Sequence, residues 1–282
     1  MIIQKEQIIN PSHVSCKKVF TKSKTINLHF TDLCNYCCHH CFIKKSGNEL
    51  SLKQIKLIID KIYDYALKNK IKVRINLAGG EPLISKNIQK IIDYIYSKDM
   101  DVSIITNGML LTKEFIENNK NKLSMIGISV DSLKETTNRI IGRCFNEKTL
   151  TKEELINVCK HIKNNGINLK INICISKHNI NEDFKEFLRE VKSDRIKFLR
   201  VLIDHDKSLN NISISDDEWK RLQNTYCDIN NSIFEDNEFM RNQYLIIDSL
   251  GNLSKNNEHL INNSLIDKSF EECLEALHME VL

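Results

Sequence analysis

The sequence predicts an α/β fold on a parallel sheet: a partial (βα)6 barrel with a short C-terminal extension. Three observations lead there. Short β-type runs alternate with amphipathic helical runs along most of the 282 residues, a pattern that favours parallel strands joined by right-handed crossovers. Only 8 Gly and 2 Pro occur, which disfavours a turn-punctuated all-β protein. With 41% hydrophobic and 28% charged residues the composition is that of a globular chain. Six units suit an open barrel, since a full eight-unit barrel needs more chain.

Taken in order, Thr25–Thr31 reads as a strand that runs into a group of cysteines. Ser51–Asn69 has apolar residues at Leu52, Ile55, Ile58, Ile59, Ile62 and Ala66, the spacing of a helix, and Ser51 with Gln54 forms a capping-box start. Lys72–Ala78 is a strand, followed by Gly-Gly-Glu-Pro and a helix over Ser85–Ser97. Asp101–Thr106 and Ser124–Val130 are further strands, and Thr151–Asn165 a helix capped by Thr151 and Glu154. Leu169–Ser176, a helix at Glu182–Lys192, Ile196–Ile203 and a helix at Ser215–Ile229 complete the series, with a short strand at Tyr244–Asp248 and a turn near Gly251. No Pro/Gly/Ser-rich linker interrupts it. The expected organisation is a lead-in over residues 1–24, a barrel over 25–230 and an extension over 231–282 that covers the active site. In such sheets the C-terminal strand ends carry the chemistry.

The balance of 41 Lys+Arg against 37 Asp+Glu gives a net charge of +4, too mild to argue for a nucleic-acid polymer or a membrane surface as partner. No apolar leader follows Met1, and no apolar run approaches the roughly 20 residues of a membrane span. A soluble, cytoplasmic protein is expected, and there clustered cysteines point to metal rather than disulfides. Of ten cysteines, Cys34, Cys37, Cys38 and Cys41 fall within eight residues. Cys16, Cys144, Cys159, Cys174, Cys227 and Cys273 are scattered and read as buried small hydrophobes.

Cys34-x3-Cys38-x2-Cys41 puts three thiolates on one loop, one short of the complement of a structural zinc or an ordinary [4Fe-4S] cluster. A cluster with three protein ligands has one iron open to a small molecule. On spacing alone, zinc with Cys37, His39 or His40 as fourth ligand and a coincidental cysteine-rich loop both stay open.

Followed by the aromatic Phe42, that spacing resembles the signature of radical S-adenosylmethionine (SAM) enzymes, as does Gly79-Gly80-Glu81-Pro82 after the second strand. The resemblance implies that Cys34, Cys38 and Cys41 bind a [4Fe-4S] cluster, that SAM chelates its open iron, and that Cys37 is a bystander. Adjacent glycines allow a close backbone approach to the ligand, and Glu81 can accept from an ammonium group.

From about Thr25 to Ile247 the sequence is more closely similar to viperin and its prokaryotic relatives. Asn27-Leu-His-Phe-Thr-Asp-Leu-Cys-Asn-Tyr-Cys-Cys, Arg74-Ile-Asn76-Leu-Ala-Gly-Gly-Glu-Pro, Thr106-Asn107-Gly108, Ile128-Ser129-Val-Asp131-Ser132, Ile141-Gly-Arg143, Leu169-Lys170-Ile-Asn172, Arg195-Ile-Lys197-Phe and Tyr244-Leu-Ile-Ile-Asp248 fall in that family's order. The family converts ribonucleoside triphosphates to 3′-deoxy-3′,4′-didehydro nucleotides, chain terminators used against viruses. The resemblance implies that Arg74, Lys170, Arg195 and Lys197 bind phosphates, that Asn27 and Asn76 hold the ribose, that Ser129 and Arg143 hold the SAM carboxylate, and that Asn107 contacts the SAM ribose. Tyr244 would close over the nucleotide or relay a proton; His29, on the same strand face as Asn27, reads as structural.

The pattern is broken in places. Ala78 stands for a Ser before the double Gly, Cys144 for a Gly after Arg143, and His39-His40 for Gly-Phe between the last two ligands. The animal membrane-anchoring helix is not found in this sequence, which implies a soluble enzyme free of membranes, and the tail that ends in Trp is not found either, which leaves closure of the site open; a monomer is expected. The implied substrate is CTP, UTP or GTP, with flavodoxin or ferredoxin as electron donor. A radical SAM enzyme acting on a peptide and a non-catalytic zinc or iron–sulfur protein are the rivals.

Overall fold

In the structure, a computed structural model that describes residues 22–202, 211–238, 240, 244–255 and 263–279, strand and helix alternate as the apolar pattern demands. β1 (Lys22–Thr31) leads through the cysteine loop to α1 (Leu52–Lys68), which buries Ile55, Ile58, Ile59, Ile62, Tyr65 and Ala66 on one face and is closed by the Ser51–Gln54 capping box. β2 (Ile71–Gly79) is followed by a 3-10 turn at Pro82–Ile84 and by α2 (Ile88–Ser97). The helix expected from Ser85 starts later because the Ser85 N–H bonds to the Pro82 carbonyl and so ends the 3-10 turn.

β3 (Asp101–Thr106), α3 (Lys113–Asn119), β4 (Leu123–Ser129), α4 (Glu135–Ile140), α5 (Lys152–Asn164), β5 (Asn168–Ile175), α6 (Lys185–Val191), β6 (Arg195–Arg200) and α7 (Asp216–Tyr226) continue the chain. α3 and α4 have no counterpart in the sequence reading. At 7 and 6 residues they span two turns or less, too few for a 3.6-residue period to register. The capping boxes of α5 and α7 form as expected, Thr151 with Glu154 and Ser215 with Glu218. β6 ends at Arg200, and the expected strand end at Ile203 lies outside the described residues.

The six expected strands lie side by side in chain order and pair in parallel. The extension does more than follow them. β7 (Ser232–Glu235) joins in parallel beyond β6, while β8 (Leu245–Ile247) pairs in parallel with β1 and in antiparallel with β9 (Leu253–Lys255). The sheet therefore has nine strands in the order β7-β6-β5-β4-β3-β2-β1-β8-β9 and is not closed. β7 and β9 thus form the two outer edges of the sheet. A last helix, α8 (Phe270–Ala276), capped by Ser269 and Glu272, seats the edge of its Phe270 ring against Tyr65 of α1. Most of the expected lead-in, residues 1–21 with Cys16, lies outside the described residues.

Strand alternation decides what faces the site. On β1, Ile26, Leu28 and Phe30 are fully buried, as are Leu169, Ile171 and Ile173 on β5 and Phe198 on β6, with Ile196 almost so. Burying each such side chain stabilises by about 1.5–3 kcal/mol. The intervening residues, Asn27 and His29, Lys170, Asn172 and Cys174, Lys197 and Leu199, turn to the concave face. Among the described residues no helix is long and apolar enough to cross a membrane.

Candidate active site

The cysteine loop is seated by backbone on two sides. On one side the Gly80 N–H donates to the Thr31 carbonyl and the Glu81 N–H to the Leu33 carbonyl, both at 2.8 Å. A Cβ at Gly79 (φ +123°) would come within 2.3 Å of Thr31 O, and one at Gly80 within 2.0 Å of Leu33 O. On the other side Cys37 N–H donates to Gly142 O and His39 N–H to Ile141 O, each at 3.0 Å, and a Cβ at Gly142 (φ +73°) would lie 2.2 Å from Cys37 O. The paired glycines are thus required by the loop that carries the cysteines, besides any bound ligand. Asp32 adds a side-chain brace, accepting from Gly47 and Asn48 N–H at 2.9 Å and from Ser249 Oγ at 3.2 Å.

One cavity of about 330 Å³ opens beneath this loop. Cys34, Cys38 and Cys41 line it and Cys37 does not; the exposed Cys37 thiol accepts from Lys45 at 3.6 Å. Burial pushes the Cys34 and Cys38 thiols up, against a backbone N–H from Tyr36 on Cys34 and the Arg143 charge near Cys38, so a bound metal is what would hold them as thiolates. Among the described residues no three His, Cys, Asp or Glu side chains converge on a single ion's position. Three thiols from one short loop on the cavity wall fit the complement of a cluster with one iron left open to a small molecule. His40, a candidate zinc ligand, instead places Nε2 3.2 Å from Asp131 Oδ2.

Asn107, Ser129 and Arg143 line the cavity at the strand ends. Arg143 is 8% exposed; Nη1 donates to Asp131 Oδ2 at 3.0 Å, Nη2 to the Ser129 carbonyl, and the guanidinium sits 5.4 Å from the Tyr36 ring centre. Asp131 also accepts from Cys174 N–H at 2.9 Å. Burial works against its charge, but Arg143 and His40 outweigh it and hold the carboxyl well below the usual range. Gly79 and Gly80 are on the wall with Ala78. Glu81 is not. Its carboxylate is buried and accepts from Leu83 N–H (3.1 Å), Thr106 Oγ (2.7 Å) and Asn107 N–H (2.7 Å), which ties the glycine segment to the end of β3.

Deeper in the cavity, Asn76 donates to Asn27 Oδ1 and accepts from Ser103 Oγ, both at 2.8 Å, while Asn27 donates to Leu245 O at 3.2 Å. Lys170, Lys197 and Tyr244 share the wall; Arg74 and Arg195 stand behind it. Arg195 is the register partner of Lys170, and Arg74 donates to Thr25 Oγ at 2.9 Å. Nε of both arginines is buried with no hydrogen-bond partner. Burial, then the charges of Lys197 and Arg195, push Lys170 down to about 7. Lys170 and Lys197 lie early in β5 and β6, on the inner face, and not at the C-terminal strand ends expected to carry the chemistry. Alternation along the strand, not its terminus, delivers them.

Sequence reasoning missed several wall residues. Asn172 and Cys174 follow Lys170 at two-residue spacing on β5, a signal that was there to use. Cys174 is therefore no core hydrophobe, and Cys227, past the last buried turn of α7, is exposed; Cys159 and Cys273 are buried as expected. His29 faces the cavity with its ring 6.0 Å from Phe42, and burial holds it neutral, near a pKa of about 4. Glu235 gave no signal, because Ser232–Glu235 was not read as a strand. It binds Lys197 and the Tyr244 hydroxyl together.

Comparison with known proteins agrees with this arrangement. The Radical SAM superfamily matches residues 28–191. S-adenosylmethionine-dependent nucleotide dehydratases are similar over most of the chain: that of Psychrobacter lutiphocae at 31% identity over 72% of this chain and 72% of its own, and that of Selenomonas ruminantium at 33% over 66% and 69%. The Fibrobacter relative is 32% identical over 64% of this chain, which spans 56% of that protein. Among solved structures, native anSMEcpe with bound AdoMet superposes with a TM-score of 0.69 at 14% identity, covering 90% of this chain and 80% of that one. Streptococcus suis SuiB bound to precursor peptide SuiA gives 0.72 at 15%, covering 90% and 65%. With the superfamily matched over more than half its length and dehydratases alike beyond it, this chain belongs to the radical SAM superfamily and, within it, to the S-adenosylmethionine-dependent nucleotide dehydratases.

Proposed function

We propose that the chain converts a ribonucleoside triphosphate, CTP, UTP or GTP, to its 3′-deoxy-3′,4′-didehydro form. The observation that carries this reading is the continuity of one cavity from three cysteines at the loop to lysines and asparagines on the inner strand face. When bound, a [4Fe-4S] cluster held by Cys34, Cys38 and Cys41 together with SAM supplies a 5′-deoxyadenosyl radical able to take hydrogen from C4′ of the ribose.

The protein's own part is binding, orientation and exclusion of water. Arg143, Ser129, Asn107 and the Gly79–Gly80 backbone receive SAM, with Glu81 fixing that backbone from behind. Lys170 and Lys197, backed by Arg74 and Arg195, receive the triphosphate through charge-assisted hydrogen bonds. Asn27 and Asn76, already bonded to each other, present amide groups to the ribose hydroxyls. Tyr244 closes the nucleotide end, and the Lys197–Tyr244 pair stands as the source of the proton that the departing 3′-hydroxyl needs to leave as water. A flavodoxin- or ferredoxin-like carrier in a reducing cytoplasm supplies the electrons. Peptide-bound SuiB shares the fold, but buried cations on the inner face suit phosphates better than a peptide.

Reconstituted, reduced protein with SAM and each nucleoside triphosphate, alone and in competition, tests the reading. At least one nucleotide should accelerate 5′-deoxyadenosine formation well above the nucleotide-free rate, with an equal yield of a product lighter by one water. If none does so while a peptide does, the assignment is wrong.

A further inference from the structure

Resting on the nucleotide site proposed above, we infer that Glu235 is a positioning residue that holds Lys197 and Tyr244 at the nucleotide end of the cavity. Glu235 is 1% exposed and closes β7, opposite Leu199 in the β6–β7 register. Its neighbour Phe234 stacks on Phe198 with ring centres 5.2 Å apart and meets the edge of Trp219 at 6.2 Å. That apolar contact fixes the strand, and by alternation it turns Glu235 to the concave side.

There one carboxylate oxygen meets the Lys197 ammonium and the other accepts from the Tyr244 hydroxyl, while Lys197 also donates to Tyr244. Lys197 and Tyr244 line the cavity; Glu235 does not. It acts through them. The three groups come from β6, from β7 and from the residue before β8, so the carboxylate ties the β6–β7 end of the sheet to the β8 side across the site.

A buried ion pair is weak evidence for net stability, while loss of one partner leaves the other charge buried and uncompensated. Charge explains the need here. Burial first, and then the charges of Arg195 and Arg74, disfavour the Lys197 ammonium. Glu235 is the counter-charge that lets Lys197 stay an ammonium before a triphosphate arrives. Tyr244, as donor to Glu235, is kept a neutral phenol by burial and by that carboxylate. Each group is thus presented in a set state and place.

The test uses reconstituted, SAM-loaded enzyme and the best triphosphate substrate, with nucleotide affinity read by calorimetry as well as turnover. Glu235→Gln keeps an acceptor for Tyr244 and removes the charge. It should raise the nucleotide Kd and KM about 10-fold at pH 7 and by more at pH 8 with SAM affinity unchanged, while Tm falls because Lys197 loses its buried counter-charge. Glu235→Asp keeps the charge and shortens the reach, and should raise the nucleotide KM several-fold. In a Tyr244→Phe background the Glu235→Gln effect should shrink. A folded Glu235→Gln enzyme with wild-type nucleotide Kd at both pH values overturns the inference, as does a parallel loss of SAM affinity, which marks a structural residue. Should Glu235→Gln fail to fold, Glu235→Asp decides alone, since wild-type KM there excludes positioning. Wild-type enzyme that turns over no nucleotide refutes the proposed function instead, so the two failures are distinguishable.

Discussion

The two ends of the cavity are built on different principles. At the cysteine loop, main chain meets main chain: four inter-segment N–H to carbonyl bonds of 2.8–3.0 Å and three glycines whose Cβ would lie 2.0–2.3 Å from a carbonyl oxygen. At the end proposed to take the nucleotide, side chains from distant strands meet, and their places depend on charge pairing at Glu235 and on hydrogen bonds among Asn27, Asn76 and Ser103. The first end is rigid and intolerant of any added atom. The second is tunable, because a side-chain contact can be weakened without moving the strand that carries it.

Breaking the first end should have the largest effect. Cys38→Ala removes one of the three loop thiols on the cavity wall and should abolish both cluster content and 5′-deoxyadenosine formation, at least 1,000-fold by the order of a lost catalytic cofactor, measured by iron and sulfide analysis beside the rate. Gly80→Ala keeps every ligand and attacks only the seat. Its methyl would lie 2.0 Å from Leu33 O, so the loop must shift; a loss of about 3 kcal/mol in stability and of most bound iron is expected, read by thermal melting and metal analysis. Near-normal iron content in Gly80→Ala would show that the seat gives way more easily than the backbone contacts imply.

How much of each end was legible in the sequence follows the same division. The cysteine loop and its glycines sit in short contiguous motifs, because backbone contact between two segments leaves a mark at each. Even so, the reason for Gly79 and Gly80 was read as ligand approach alone, since Thr31 O and Leu33 O become their neighbours only once the loop is folded. The inner-face cations were legible singly, but their depth in the sheet was not. Periodicity gives a residue's face and leaves open which end of a strand faces the ligand. Glu235 was out of reach because β7 has 4 residues, and what makes it a strand is the β6 edge and the Phe198–Phe234 stack. The extension was read as a cover for the site, and its part in the sheet, where β7 and β9 form the two outer edges, was not foreseen.

Weakening the second end should cost less. Lys170→Met keeps the chain length of the side chain and deletes its charge, and should raise the nucleotide KM about 10–100-fold, the value of a charge-assisted bond of about 1.5–3 kcal/mol, with SAM affinity unchanged. Equal losses for SAM and nucleotide would show that the two ends are not separable.

The mildest perturbation changes pH and no atom. Burial and the neighbouring Lys197 and Arg195 charges bring Lys170 down to about 7 from an ordinary value near 10.5. A depressed lysine binds fewer protons in the folded chain than in the unfolded one, so its burial costs stability fully below pH 7 and the cost is relieved as pH rises from about 7 towards 10.5. Nucleotide affinity has the opposite sign. A triphosphate binds best to the charged amine, so affinity should be flat below pH 7 and fall above it, by no more than tenfold per pH unit, with about one proton taken up on binding near pH 8. Calorimetry in buffers of different ionisation enthalpy counts that proton. Lys170→Met should abolish the uptake, while Gly80→Ala, acting at the other end, should leave it intact in whatever fraction remains folded. The same uptake in Lys170→Met would place the titrating group elsewhere in the cation cluster, and a pH-independent affinity would show that the site holds Lys170 charged before the nucleotide arrives.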